Sequence, residues 1–348
     1  MNHDKVIGGE FEINIENLSG IGDKAFLNEG YLYSSGRAAL YNILKFIEKS
    51  RKNIKTLYLP DYLCHSIVDT AKKTSLELVF YPLADNLVID KIKFEELYQA
   101  NAAILLINYF GLQSLRNPIA YLRNLDKNVC IIEDNVQSFF SMFEDSDADF
   151  RFTSFRKTLP VPDGGLVKSN YKMPVPEKIN TFAQYKAAGG ILKTFRKYDC
   201  FDDELYLKFL EIGEDGIDDN LDKKISNLTI DLFSGIDIQR VSILRKCNAS
   251  QIVKGLKSMN LNPLLPYKEC NVPLFIPIWL ENRDIVRLKF LQNQIFCPVH
   301  WPLTDSTRSL SKTEDMAKHE LSIIVDQRYS LDDMNRILEV IDSSIHGK

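Results

Sequence analysis

The chain has 348 residues, 45% of them hydrophobic, enough to bury a large core as one large domain with a smaller one beside it. Its 43 Lys and Arg against 47 Asp and Glu give a formal charge of -4 with no basic block, which argues against a nucleic-acid binder, and no apolar run approaches the roughly 20 residues of a membrane span. The six cysteines lack CxxC spacing, the five histidines include no HExxH pair, and the N-terminus has no apolar core of the signal-peptide kind, so reduced thiols, no metal site and a cytoplasmic protein are expected.

In chain order, FEINI reads as a short strand in an N-terminal arm. The stretch YLYSSGRAALYNILKFIEKS then changes period, and Ala38, Ala39, Leu40, Ile43, Leu44 and Ile47 form the apolar stripe of a helix. Ser34, Ser35 and Gly36 stand at its start, where small residues leave amides free for an anion, although an ordinary N-cap is the plainer reading. TLYL predicts a strand, followed by a turn at Pro60 and Asp61 and a helix from about Leu63. SLELVFYPL, KIKFEELYQA, NAAILLINYFG, PIAYLRNL and NVCIIED continue as strand, helix, strand, helix and strand. This alternation predicts an α/β domain with a largely parallel sheet, and no GxGxxG follows the first strand, which argues against a dinucleotide-binding fold.

Residues 176–225 are polar and helical and include a dense acidic segment, read as a solvated helix face. A long amphipathic stretch from Leu228 to about Met259 bridges to a last section, with VPLFIPIWL as a strand, RDIVRLKFLQ and SLDDMNRILEVIDSSI as helices, and QIFCPVHWPL between them. The expected division is an N-terminal arm and large domain over 1–245 and a small α/β domain over 246–348.

The chemistry concentrates between Ile131 and Val167. A buried strand ends in Asp134, the apolar patch FRFTSF delivers Ser154, and Lys157 follows before a Pro and Gly loop. Acid, hydroxyl and amine at strand ends are what a pyridoxal phosphate (PLP) enzyme needs: the lysine forms a Schiff base, the acid keeps the pyridine nitrogen protonated, and small polar groups hold the phosphate. An exposed loop lysine and a strand-end turn residue explain the same stretch equally well. Tyr109, at another strand end, reads as a pocket residue or as packing, His300 as a substrate contact or a structural histidine before a Pro turn, and Cys130 and Cys297 as core residues.

Taken in register, the chain resembles the DegT/StrS-type aminotransferases, fold-type-I PLP enzymes that mostly make amino sugars. SSGRAAL is similar to the family's phosphate loop, IIEDNVQS to its aspartate motif, TSFRK with the following glycines to its lysine segment, and CPVHWPL to its substrate-side motif. LYLPDYLCHS, INYFG and LTIDLFSGIDIQRV match further segments in the same order. The resemblance implies an aspartate aminotransferase-like fold, with a large mostly parallel-sheet domain and a small C-terminal α/β domain. It implies PLP as cofactor, with Lys157 as the Schiff-base lysine and proton carrier, Asp134 on the pyridine nitrogen, Gln137 on the ring hydroxyl, and Ser154 with Ser35 and the amides of Gly36 and Arg37 on the phosphate. It also implies Tyr109, His300 and Trp301 on the substrate side, a homodimer, and transfer of an amino group from a donor such as glutamate to a nucleotide-linked keto sugar.

The chain departs from the family in several places. The serine and lysine stand closer together than is usual, Arg37 replaces a threonine, and the ring-stacking aromatic falls near Cys64, with His65 or Tyr62 as alternatives. Ser226 and Asn227 are the nearest polar residues to the family's partner-subunit asparagine and arginine. A PLP-dependent sugar dehydratase and a non-catalytic regulatory protein on the same fold are the alternatives.

Overall fold

Short runs buried on both faces, such as AAILLI and CIIED, satisfy their backbone groups only inside a sheet covered by helices, and that requirement builds the main body of the molecule. The computed structural model describes residues 5–15, 24–196 and 203–345, so Cys200 and residues 197–202 of the acidic segment lie outside the described residues. The strands are β1 (Ile7–Gly8), β2 (Tyr31–Tyr33), β3 (Thr56–Pro60), β4 (Glu77–Tyr81), β5 (Ala102–Ile107), β6 (Cys130–Asp134), β7 (Phe150–Ser154), β8 (Gly165–Ser169), β9 (Phe275–Trp279), β10 (Ile295–Phe296) and β11 (Glu320–Ile324). The seven-stranded sheet runs β2-β8-β7-β6-β5-β3-β4. Its strands from β7 through β6, β5 and β3 to β4 are mutually parallel, while β8 and β2 close the other edge antiparallel.

Register brings the functional ends level. Ile107 pairs with Asp134, Asp134 with Phe152, and Ser154 with Gly165, so the carboxyl ends of β5, β6 and β7 open onto one region. Helix α1 (Gly36–Ser50) packs on β7 and β8 through the stripe the sequence marks, with Ala38, Ala39, Leu40, Ile43, Leu44 and Ile47 all buried. The close packing of α1 aims its first turn at those strand ends.

Helices α2 (His65–Ala71), α3 (Lys91–Leu97) and α4 (Arg116–Leu125) follow their strands as the alternation requires. Beyond the sheet, α5 (Ala183–Thr194) and α6 (Asp203–Asp215) pack side by side. The stretch from Leu228 to Met259 is two helices, α7 (Asn227–Phe233) and α8 (Ile238–Ser258), because Ser234 and Gly235 interrupt it and the Asp237 side chain accepts from the Arg240 amide as a fresh N-cap. The 245/246 division therefore falls inside α8.

The C-terminal part joins β9 antiparallel to β11, backed by α8, α9 (Arg283–Gln292) and α11 (Leu331–Ile345), with α10 (Ser311–His319) leading into β11. FEINI is not a strand. The arm instead pairs at Ile7–Gly8, in parallel with β10. The alternating apolar residues of FEINI mimic a strand without a sheet edge to join. Cys64, Cys130, Cys247, Cys270 and Cys297 are free thiols, and among the described residues no helix is long and apolar enough to cross a membrane.

Candidate active site

A cavity of about 530 Å³ lies where the ends of β5, β6 and β7 meet the start of α1, walled on the far side by β1 and the C-terminal part. At its floor Ser35 caps α1, its Oγ accepting from the Ala38 amide at 3.1 Å. Gly36 follows in contact with β7, and a Cβ there would stand 2.9 Å from Ser154 Cβ and 3.2 Å from Val136 Cγ2. Only glycine lets the helix amides and the Ser154 hydroxyl converge on one spot. That spot carries the positive end of a 15-residue helix and suits a phosphate.

Asp134 lines the cavity from the end of β6. Its Oδ1 accepts from the Val136 amide at 2.8 Å. Burial raises the carboxyl to about 7, and the Val136 bond only partly offsets it. A cationic N–H placed against the remaining oxygen would restore the charge. Gln137, one turn on, accepts from the Phe110 amide through Oε1 at 3.0 Å, which leaves its NH2 as the end available to the cavity.

Lys157 ends a single 3-10 turn, Phe155–Lys157, that leaves β7 directly after Ser154. Its side chain presents open surface to the cavity. The Arg156 charge and then burial lower its pKa, against the pull of Glu214, Cys64 and Glu10. The loop after it is pinned by Asp163, whose carboxylate accepts from Asn180 Nδ2, the Ser226 amide, Ser226 Oγ and Thr229 Oγ1. Ser226 is thus a buried anchor for the lysine loop.

A carboxylate in the polar wall gathers three cations. Glu214 on α6 meets Arg37 at 2.6 Å, Arg156 at 2.9 Å and Lys186 at 3.0 Å. Burial alone would raise its pKa, but Arg156, Lys157, Lys186 and Arg37 outweigh burial and hold it well below the carboxylate range. Arg37 also reaches Asp218 at 3.1 Å, so its guanidinium is committed to the acidic segment.

Ser35, Gly36, Arg37, Cys64, Asp134, Gln137, Ser154, Lys157, His300 and Trp301 all line this one cavity. Tyr109 does not. It is fully buried, its hydroxyl donates to the Tyr62 carbonyl at 2.5 Å and its ring stacks on Tyr62 at 5.3 Å, so the packing reading holds and the expected substrate contact is corrected. Of the candidates for stacking, Cys64 reaches the cavity, whereas Tyr62 and His65 do not. The expectation of a solvated face for the whole acidic segment is also corrected, because Glu214 turns inward. Its partners Arg37, Arg156 and Lys186 all come from other elements, and no local signal marks it. Arg156, adjacent to Lys157, and the Gly8–Gly9 turn were visible in the sequence without their context. Arg245, Asp326 and Arg328 complete the C-terminal wall.

No protein-family model and no curated protein matches the sequence. Solved structures do. Helicobacter pylori PseC, an aminotransferase involved in the biosynthesis of pseudoaminic acid, is similar at a TM-score of 0.68 and 14% identity, over 99% of this chain and 100% of that one. Streptococcus pneumoniae Spr1654 in its PLP-form gives 0.69 and 14% over 98% of each chain. DesV of S. venezuelae, in complex with a ketimine intermediate, gives 0.66 and 14% over 99% of this chain and 91% of that one. The chain has the fold-type-I fold. In a fold-type-I sheet the cavity at the carboxyl ends of the central strands is the position that open α/β sheets give to ligands, and it is where the sequence-derived residues gather. The expected large, mostly parallel sheet and smaller C-terminal α/β part are both present.

Proposed function

We propose that the chain is a PLP-dependent sugar aminotransferase, taking its amino group from an amino acid such as glutamate and passing it to a keto sugar carried on a nucleotide. The observation that carries this reading is the meeting, in one cavity, of Lys157, the buried Asp134 carboxyl and the Gly36–Ser154 cradle at the N-terminus of α1. The likeness to PseC, Spr1654 and DesV supports it.

The donor set fits the cofactor. The amides of Gly36 and Arg37 with Ser35 and Ser154 would hold the phosphate, Asp134 would face the ring nitrogen and Gln137 the ring hydroxyl. Cys64 would meet the ring where an aromatic usually does. When bound, the cofactor supplies an electron sink for the carbon that bears the amino group. Lys157 Nζ, whose charge Arg156 and burial disfavour, would carry the covalent link and then take and return a proton. His300 and Trp301 would face the substrate.

A homodimer and a cytoplasmic location belong to the same proposal, and the exposed Leu205 and Leu207 on α6 and Ile243 on α8 support the former. The division into a large domain over 1–245 and a small one over 246–348, joined through α8, is part of the proposal too. Titration with PLP tests the whole. We expect visible absorbance in the wild type, its loss in Lys157→Ala, and formation of 2-oxoglutarate from glutamate. A wild-type protein that stays colourless with PLP overturns the reading.

A further inference from the structure

Strand β11 sends Glu320 and Ser322 to the same face, two residues apart, and both are fully buried. His300 closes over them. Its backbone N–H donates to Glu320 Oε2 at 2.7 Å, its Nδ1 lies 2.7 Å from Ser322 Oγ, and Ser322 Oγ lies 2.5 Å from Glu320 Oε1. The imidazole lines the cavity, and with Nδ1 committed to Ser322 the atom left for a ligand is Nε2.

A serine hydroxyl has a single proton, and that fixes two arrangements. When Glu320 is ionised, Ser322 donates to it and accepts from Nδ1–H, so Nε2 offers a lone pair. When Glu320 is protonated, it donates to Ser322, which donates to Nδ1, so Nε2 carries the N–H. We propose that His300, Ser322 and Glu320 form a proton relay between the cavity and a buried carboxylate, in which a proton taken up at His300 Nε2 is stored on Glu320 instead of on the imidazole.

As Nε2 binds the incoming proton, the Nδ1–H bond breaks and its proton passes to Ser322 Oγ, whose own proton passes to Glu320 Oε1. The ring starts and ends neutral, Glu320 goes from carboxylate to acid, and the reverse flow returns the proton to the cavity. The surroundings favour this storage. Burial and then the Lys157 charge push His300 down to about 3, which makes an imidazolium costly. Burial pushes Glu320 up to about 8, against the bonds from His300 and Ser322 and the charge of Arg283 on α9. Among the described residues, the other titratable groups that interact with Glu320 or His300 are the Cys297 thiol and the Tyr62 hydroxyl, which donates to the His300 carbonyl. Neither brings a charge at neutral pH, since burial raises both. A keto group that is aminated loses its oxygen as water and needs a proton there. That use of the relay rests on the proposed function, whereas the relay itself does not.

The test is imidazole nitrogen NMR of ligand-free protein labelled in its histidines, with His300 assigned by loss of its signal in His300→Asn. As pH rises through about 8, the two nitrogens of His300 should exchange roles with no imidazolium formed. Glu320→Gln and Ser322→Ala should abolish the exchange and Ser322→Thr should keep it. Should Glu320→Gln fail to fold, the Ala and Thr pair at 322 decides. One fixed tautomer across the range, or titration to an imidazolium near the usual pKa of about 6.5, overturns the relay. In turnover, Ser322→Ala should lower kcat about 10²-fold with KM little changed, and Thr should restore it. A protein that shows the exchange but converts no glutamate with PLP keeps the relay and overturns the proposed function.

Discussion

Asp134 is a carboxyl group held at the end of a buried strand with one hydrogen bond and, among the described residues, no cation that shifts it. Its raised pKa makes the ligand-free fold lose stability as pH climbs from the ordinary carboxylate range through about 7, since the unfolded chain ionises first. Asp134→Asn removes that penalty. We expect the variant to be more stable than the wild type at alkaline pH by about 1–3 kcal/mol without cofactor, read from melting curves, and to bind PLP more weakly. Glu214 presents the opposite case. Glu214→Gln leaves Arg37, Arg156 and Lys186 without their shared carboxylate, and because that side chain is partly open to solvent the loss of stability should be only about 1 kcal/mol. The larger effect falls on Lys157, which loses its strongest opposing charge. Its pKa falls further, and the acid limb of PLP uptake, followed by absorbance, should move to lower pH.

Two helix caps separate what holds the fold from what holds a ligand. Asp237 caps α8 away from the cavity and Ser35 caps α1 at its floor. Each replacement by Ala should cost about 1 kcal/mol in denaturant unfolding, but only Ser35→Ala should also weaken PLP binding. Elements of this kind were readable in the sequence because their causes are local. The stripe from Ala38 to Ile47, the run CIIED ending in Asp134, and the order of Ser154 and Lys157 all appear in consecutive residues. The antiparallel strands β2, β8 and β11 were missed because each owes its existence to pairing with a strand elsewhere in the chain. The same holds within the site. Glu214 and the Glu320–Ser322 pair look like ordinary surface acid and strand residues until packing turns them inward, and Tyr109 looks like a pocket aromatic until the Tyr62 carbonyl claims its hydroxyl.

At the scale of the molecule, the cavity draws together parts distant in the chain, among them the sheet with α1, the arm at Gly8 to Phe11, and the wall carrying His300, Asp326 and Arg328. A ligand that touches all three should stabilise them together. Saturating PLP at about 100 times its Kd should add about 2.7 kcal/mol to unfolding, and calorimetry should show one transition sharpening as it rises. Arg328 fastens the arm, donating to the carbonyls of Gly9 and Glu10, while Lys193 holds Glu12 at 2.8 Å. The parallel pairing of Ile7 and Gly8 with Ile295 and Phe296 has a temporal side as well. A ribosome delivers the arm long before it delivers its partner strand, so the arm must wait, unpaired, through most of synthesis. The pocket is thus among the last features to be completed, and a nascent chain halted before residue 295 would already own its sheet while having no enclosed chamber to offer a cofactor.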